Sequence, residues 1–276
     1  MTDNAAPVAR QGRVTLYDGA EIFYKIWGNP NPSRRILLVH ALAMNADLWA
    51  ETVAAGLAGS AEVLAVDCRG HGRSSKPAGP YSVEQMADDL AELLDHLGWD
   101  STAIAGASMG GCISLTFAGR YPDRTRALGM IDTTAGYGPE AVDAWEGRAT
   151  KGLTEGMASM TGFQKSRWFS DKFIESNPDK VAAAIEVFVA NDPAAYAESC
   201  RMLGRCDQKA TMATLQMPAT ILVGEEDYAT PVVMAEELYK GIAGSTLHVM
   251  PNVRHFTPLE VPAVIAAHLT ALLDRV

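Results

Sequence analysis

GASMGG, residues 106–111, reads G-x-S-x-G around Ser108. A five-residue pattern this loose also arises by chance, so its meaning depends on what enters and leaves it. The residues that enter, TAIAG (102–106), make a short and almost wholly apolar run. The residues that leave, from Met109 to about Tyr121, predict a helix that stops before Pro122. A strand, a glycine-rich reversal and a helix hold a serine hydroxyl clear of a sheet at a helix N-terminus. Gly106 and Gly110 permit the sharp turn, and Gly111 lets the new helix lie against the strand.

Outward from this stretch the same alternation repeats. ILLVHA (36–41), EVLAVDC (62–68), ALGMID (127–132), ATILVG (219–224) and TLHVM (246–250) are further apolar runs. Strands apolar on both faces are buried on both faces, which is the mark of a mostly parallel sheet covered by helices. Ser82-Val-Glu-Gln85 is a capping box for a helix carrying Met86, Leu90, Leu93, Leu94 and Leu97, with Gly98 just past its end. Val232–Ile242 and Pro258–Leu273 predict the last two helices. At the front, Arg13–Asp18 and Glu21–Trp27 predict a hairpin about Asp18-Gly19, and the prolines of residues 28–33 predict a loop.

The alternation lapses between residues 137 and 216, a stretch rich in Met, Trp, Phe and Ala that reads as several short helices. The predicted fold class is therefore α/β, with a core of residues 1–136 and 217–276 and a helical insertion at 137–216. An insertion on the side where site loops emerge is a natural lid; the alternative is a helical layer that only packs on the sheet.

A serine hydroxyl is a poor nucleophile at neutral pH without a base, and the base needs an orienting acid. In this kind of sheet the chain order is Ser, acid, His. Three histidines follow Ser108: His248 inside a predicted strand, His268 on the last helix, and His255 on the loop after the last strand. The loop position makes His255 the candidate base, against the alternative of a surface histidine. Asp227, in GEEDYATP after ATILVG, is the candidate acid, and Asp132, at the end of ALGMID, is its rival. Glu225 and Glu226 read as solvated. The backbone amides of Met109 and Leu42 are candidates for an oxyanion hole. His40 reads as structural, holding the loop ALAMN by hydrogen bonds.

Charge and composition exclude other classes. The 276 residues carry 33 acidic and 23 basic side chains, a net charge of −10 without a basic stripe, which argues against nucleic acid. No apolar run approaches the roughly 20 residues that span a bilayer, so no membrane partner is expected. Residues 1–13 lack the apolar segment of a secretory signal, and four cysteines without a C-x-x-C pair read as buried reduced thiols; both point to the cytoplasm. No metal-ligand spacing appears, so no metal or organic cofactor is expected. A homo-oligomer stays open.

With Ser108, Asp227 and His255 in this order, the chain resembles the α/β-hydrolase superfamily over essentially its whole length. VDCRGHGRSSKPAGPYSVEQMADDLAELLDHLG (66–98), with its D-x-R-G-H-G-x-S core, is similar to the stretch before the nucleophile in esterases, lactonases, cofactor-free haloperoxidases and C–C bond hydrolases. The insertion resembles the lid of 3-oxoadipate enol-lactonases, through Arg167, Trp168 and Phe169 and through Asp192, Pro193, Tyr196 and Cys200. The resemblance implies a serine hydrolase acting on a small-molecule ester or enol-lactone through an acyl-enzyme. It also implies that Arg167 and Trp168 line a pocket for a dianionic-type substrate, where a guanidinium offers a bidentate fork to a carboxylate. A general carboxylesterase, a perhydrolase or a C–C bond hydrolase is the alternative, and a non-catalytic ligand-binding protein the remote one. Cys206-Asp207-Gln208-Lys209 departs from that family's wording, which leaves Arg205 or Lys209 as candidates for a second cation, and the oxyanion loop HALAMN departs from it too.

Overall fold

A computed structural model describes residues 10–31 and 33–276; the readings made on residues 1–9 and on Pro32 fall outside it. Eight strands form one sheet: β1 (Arg10–Thr15), β2 (Glu21–Trp27), β3 (Arg35–Val39), β4 (Glu62–Val66), β5 (Thr102–Ala107), β6 (Thr125–Ile131), β7 (Ala219–Gly224) and β8 (Thr246–Met250). They lie in the order β1-β2-β4-β3-β5-β6-β7-β8. The β1–β2 and β2–β4 pairs are antiparallel, and every other pair is parallel. Five central strands, β3 to β7, are buried almost throughout, as their apolar runs predict. β8 is different. Among the described residues it pairs with β7 alone and is largely open to solvent, because an edge strand has a neighbour on one side.

The first predicted strand is shifted. It ends at Thr15 because Leu16 to Ala20 make the reversal, with the Leu16 amide donating to the Ala20 carbonyl at 2.8 Å and Gly19 at φ 85°. Between β3 and β4 the chain coils through short helical pieces that the sequence did not announce. They are Ala46–Trp49, α1 (Ala50–Thr52), Val53–Leu57 and α2 (Ala58–Ser60). Each is too short to show a helical period, and Gly56 at φ 127° interrupts them.

Two helices follow the predictions closely. α3 (Val83–His96) is capped by Ser82, whose Oγ accepts the Gln85 amide at 3.0 Å, and Gly98 follows its end at φ 67°. α4 (Met109–Arg120) leaves β5 and packs on β3, β5 and β6. Six more helices separate β6 from β7: α5 (Ala141–Glu155), α6 (Thr161–Trp168), α7 (Asp171–Ser176), α8 (Pro178–Val189), α9 (Pro193–Arg205) and α10 (Lys209–Met212). α5 and α9 make the main helix pair of this stretch. Beyond β7 come α11 (Val232–Gly241), α12 (Thr257–Glu260) and α13 (Pro262–Leu273). The predicted helix Pro258–Leu273 is thus two helices. Pro262 disfavours helical backbone at the residue before it, and Val261 adopts φ −135°, ψ 53°.

Parallel strands share a direction, so the loops after β3, β5, β6, β7 and β8 emerge at one edge of the sheet. That edge collects Leu42, Ser108, Asp132, Asp227 and His255.

Candidate active site

Ser108 occupies the junction of β5 and α4 at φ 54°, ψ −116°, a strained conformation for a residue with a Cβ. Backbone bonds hold it there: its amide donates to the Ile131 carbonyl at 2.9 Å, and its carbonyl accepts from the Thr133 hydroxyl at 2.6 Å and the Gly111 amide at 2.9 Å. The glycines around it are spatial requirements. A Cβ at Gly106 would collide with the Gly110 carbonyl, and one at Gly110 with the Val39 carbonyl of β3. At Gly111 the room made is for the Thr133 side chain, on the loop after β6, and not for β5.

His255 Nε2 lies 3.0 Å from Ser108 Oγ, and His255 Nδ1 lies 2.8 Å from Asp227 Oδ2. All three residues are buried. Asp227 Oδ1 accepts the amides of Ala229 (2.7 Å) and Thr230 (2.9 Å), and Oδ2 also accepts the Thr230 hydroxyl at 2.9 Å. Burial alone would raise the Asp227 carboxyl. The neighbouring His255 and these hydrogen bonds outweigh it and hold the group below the usual carboxylate range. With Nδ1–H donating to Asp227, Nε2 is free to accept the Ser108 proton.

Asp132 does not reach His255. Its carboxylate accepts the Gly224 amide (3.2 Å), the Thr257 amide (3.1 Å) and the Thr257 hydroxyl (2.6 Å), tying the ends of β6 and β7 to the loop after His255. Burial first, and the nearby Asp227 second, push its carboxyl well above the ordinary range. His248 and His268 pack on each other at 4.2 Å between ring centroids, on the edge strand and the last helix. His40 is a scaffold: Nδ1 donates to the Ala41 carbonyl at 2.8 Å and Nε2 accepts the Cys68 amide at 2.9 Å, pinning the loop that carries Leu42. Glu225 is exposed, whereas Glu226 is half-buried with Oε2 3.5 Å from Arg254 Nε.

Ser108 and His255 open on a small cleft of about 30 Å³. Ala41, Leu42, Tyr137, Trp145, Arg148, Arg167, Trp168 and Phe256 line it. Met109 is the first residue of α4, so its amide has no carbonyl partner within the helix. Trp168 is buried and stacks on Phe256 at 4.4 Å and 14°. Through Tyr137, Trp145, Arg148 and Arg167 the cleft adjoins an outer cavity of about 540 Å³ walled by α5 and α6.

Both arginines in this wall lack a carboxylate partner among the described residues. Arg148 Nε donates to the Tyr196 hydroxyl at 2.7 Å, and Arg167 lies over the Phe163 ring at 5.4 Å. Burial, then the repulsion of Arg148, lowers the Arg167 pKa, although a guanidinium stays charged at neutral pH. Arg205 and Lys209, the sequence's candidates for a second cation, point elsewhere. Arg205 donates to the Tyr81 carbonyl at 3.1 Å, and Lys209 pairs with Glu237 at 3.4 Å. Arg148, Trp145 and Tyr137 were not singled out from the sequence. The available signal was Trp145 and Arg148 at i, i+3 on one helix face. Among the described residues no group of three or more His, Cys, Asp or Glu side chains could hold a metal ion, and no helix is long and apolar enough to cross a membrane.

Comparison with known proteins gives four findings of one kind. A family model described as alpha/beta hydrolase fold matches residues 34–262. The chain is 28% identical over 240 residues to 3-oxoadipate enol-lactonase 2 of Acinetobacter baylyi, covering 87% of this chain and 88% of that protein. It is similar to the crystal structure of the enol-lactonase from Burkholderia xenovorans, with a TM-score of 0.90 at 30% identity, covering 95% of this chain and all of the other. A thermophilic esterase from Thermogutta terrifontis, malate bound, gives a TM-score of 0.89 at 26% identity over 96% of this chain and 98% of that one.

Proposed function

The chain belongs to the alpha/beta hydrolase fold family, and we propose that within it the protein is a serine hydrolase of a small, carboxylate-bearing ester, foremost an enol-lactone such as 3-oxoadipate enol-lactone. One observation carries this reading. The hydrogen-bonded series Asp227–His255–Ser108 opens on a cleft whose wall holds two guanidiniums, Arg148 and Arg167, without acidic partners among the described residues. In a protein of net charge −10, two half-buried guanidiniums beside a nucleophile, bonded only to neutral groups among the described residues, call for an anionic ligand.

His255 takes the Ser108 proton as Oγ attacks the lactone carbonyl. The amides of Met109 and Leu42 receive the negative charge that develops on the carbonyl oxygen. Collapse of the tetrahedral intermediate breaks the ring C–O bond; the enolate so freed, still part of the acyl chain, takes the proton from His255 and ketonises, which leaves His255 neutral. Water, deprotonated by His255, then attacks the acyl-enzyme and releases the acid. Asp227 keeps the proton on Nδ1 and stabilises the imidazolium that forms. Arg167 and Arg148 hold the substrate carboxylate, and Trp168 makes a flat wall. Residues 137–216 act as the lid that carries this recognition surface over the nucleophile. The bound-malate esterase and the outer cavity of about 540 Å³ favour one second reading, a carboxylesterase for a larger acid.

The test is steady-state turnover of 3-oxoadipate enol-lactone beside a neutral short-chain aryl ester, with Ser108→Ala as control. We expect kcat/KM for the lactone to exceed that for the aryl ester by several orders of magnitude and Ser108→Ala to abolish both. Preference for the aryl ester would reject the lactone, and ester turnover unchanged in Ser108→Ala would reject the serine mechanism.

A further inference from the structure

Arg254 precedes His255 and is buried, with its guanidinium turned away from the cleft. Its Nη1 donates to the carbonyls of Phe169 (2.8 Å) and Ser166 (3.0 Å) and to Asp171 Oδ1 at 3.0 Å. The Ser166 and Phe169 carbonyls belong to the last turn and the cap of α6, where helix geometry leaves acceptors unpaired and the dipole favours a cation. The guanidinium also lies over the Tyr228 ring at 5.0 Å, with Glu226 3.5 Å from Nε but outside hydrogen-bond geometry.

Two further ties join the same pair of segments. The Phe256 amide donates to the Trp168 carbonyl at 2.9 Å. Glu260 accepts the Arg254 amide at 2.8 Å and the Ser170 amide at 3.2 Å, and also accepts the Ser170 hydroxyl. The residues on either side of His255 are thus bonded to Trp168 and to the residues on either side of the Arg167–Trp168 pair.

We infer that Arg254, with Glu260, is a positioning residue that fastens the recognition segment Arg167–Trp168 to the loop carrying His255, so that substrate carboxylate and base are held at one fixed separation. This rests on the reading that Arg167 receives a carboxylate. Fixing that separation matters because a displacement of about 1 Å in a reactive geometry costs on the order of a hundredfold in rate. Arg254 touches neither substrate nor Ser108; it acts through the α6 terminus.

The experiment uses the full chain, the para-nitrophenyl monoester of adipic acid and the neutral para-nitrophenyl hexanoate, with Arg254→Ala, Arg254→Lys and Arg167→Ala. Hydrogen exchange at amides 166–171 and 256 is measured on the same proteins. In Arg254→Ala we expect exchange at these amides to rise, and kcat/KM for the monoester to fall on the order of a hundredfold, chiefly through kcat, with a loss of no more than about threefold for the hexanoate. Arg254→Lys, which keeps a donor for the Phe169 carbonyl, recovers part of both effects and serves if the alanine variant folds poorly. Unchanged exchange overturns the latch. Raised exchange with equal losses on both esters overturns the positioning role and leaves Arg254 as scaffold. If Arg167→Ala fails to discriminate between the esters, the carboxylate reading is what fails, and the latch then stands or falls on the exchange alone.

Discussion

Asp227 and Asp132 show how two similar residues at adjacent strand ends acquire different work. Both follow parallel strands and both are buried, so their order in the chain cannot separate them. Their donors do. Asp227 bonds His255, while all three of the donors on Asp132 are groups of Gly224 and Thr257. Asp227→Asn should therefore lower kcat by about 10⁴-fold through the wrong imidazole tautomer, with little change in fold. Asp132→Ala strands three buried donors and should cost about 1–3 kcal/mol of stability for each left unsatisfied, with a much smaller effect on kcat for the folded fraction. Urea unfolding and turnover of one aryl ester measure both; the reverse pattern would make Asp132 the acid. Arg148 could not be read from the sequence for a related reason. Forty residues separate it from Ser108, and only the packing of α5 on α9 turns it toward the cleft. Arg148→Ala should raise KM for the carboxylated monoester at least about tenfold more than for a neutral ester of equal length, the loss of one charge-assisted bond.

At the scale of elements, the β5–Ser108–α4 junction is a close approach of the backbones of two strands, β3 and β5, and one helix, α4. Gly110 lies against the Val39 carbonyl of β3, so neither strand nor helix can move apart without breaking the sheet. Gly110→Ala should destabilise the protein by about 3 kcal/mol or more, since the obstacle is backbone and not a side chain that can rotate. A thermal melt checks this, and a shift of less than a degree would contradict the geometry. This junction was legible because its requirement for glycine is local. The break between α12 and α13 was legible only in part: Pro262 is visible, but a proline in a first turn and a proline that starts a new helix look alike until Val261 is seen outside the helical region.

At the scale of the molecule, two imidazoles are enclosed under the sheet edge. His40 and His71 are buried with ring centroids 5.0 Å apart, and His71 Nε2 has no partner among the described residues. Burial first, and His40 second, lower the His71 pKa to about 3. The unfolded chain takes up a proton near the ordinary imidazole value, while the folded His71 stays neutral far below it, so the unfolded state binds more protons in that window and stability falls as pH drops. At about 1.4 kcal/mol per pH unit, the loss contributed by His71 reaches roughly 2–3 kcal/mol two units below pH 6.5. His71→Asn, whose amide nitrogen can replace Nδ1 on the Arg69 carbonyl, should flatten the decline of Tm between pH 6.5 and about 4.5. An unchanged slope would show that other groups govern acid unfolding.

The sequence by itself determined the α/β class, the strand series and the candidates Ser108, Asp227 and His255, because those properties are written in local terms: apolar runs, glycines at a turn, and polar residues at strand ends. Tertiary structure alone decided which aspartate meets His255, that Arg148 and not Arg205 or Lys209 joins Arg167 at the cleft, and that Arg254 joins α6 to the His255 loop. These depend on where distant segments are brought together and which way a helix is rotated. Such relations are set by packing over the whole core, and no short stretch of chain encodes them.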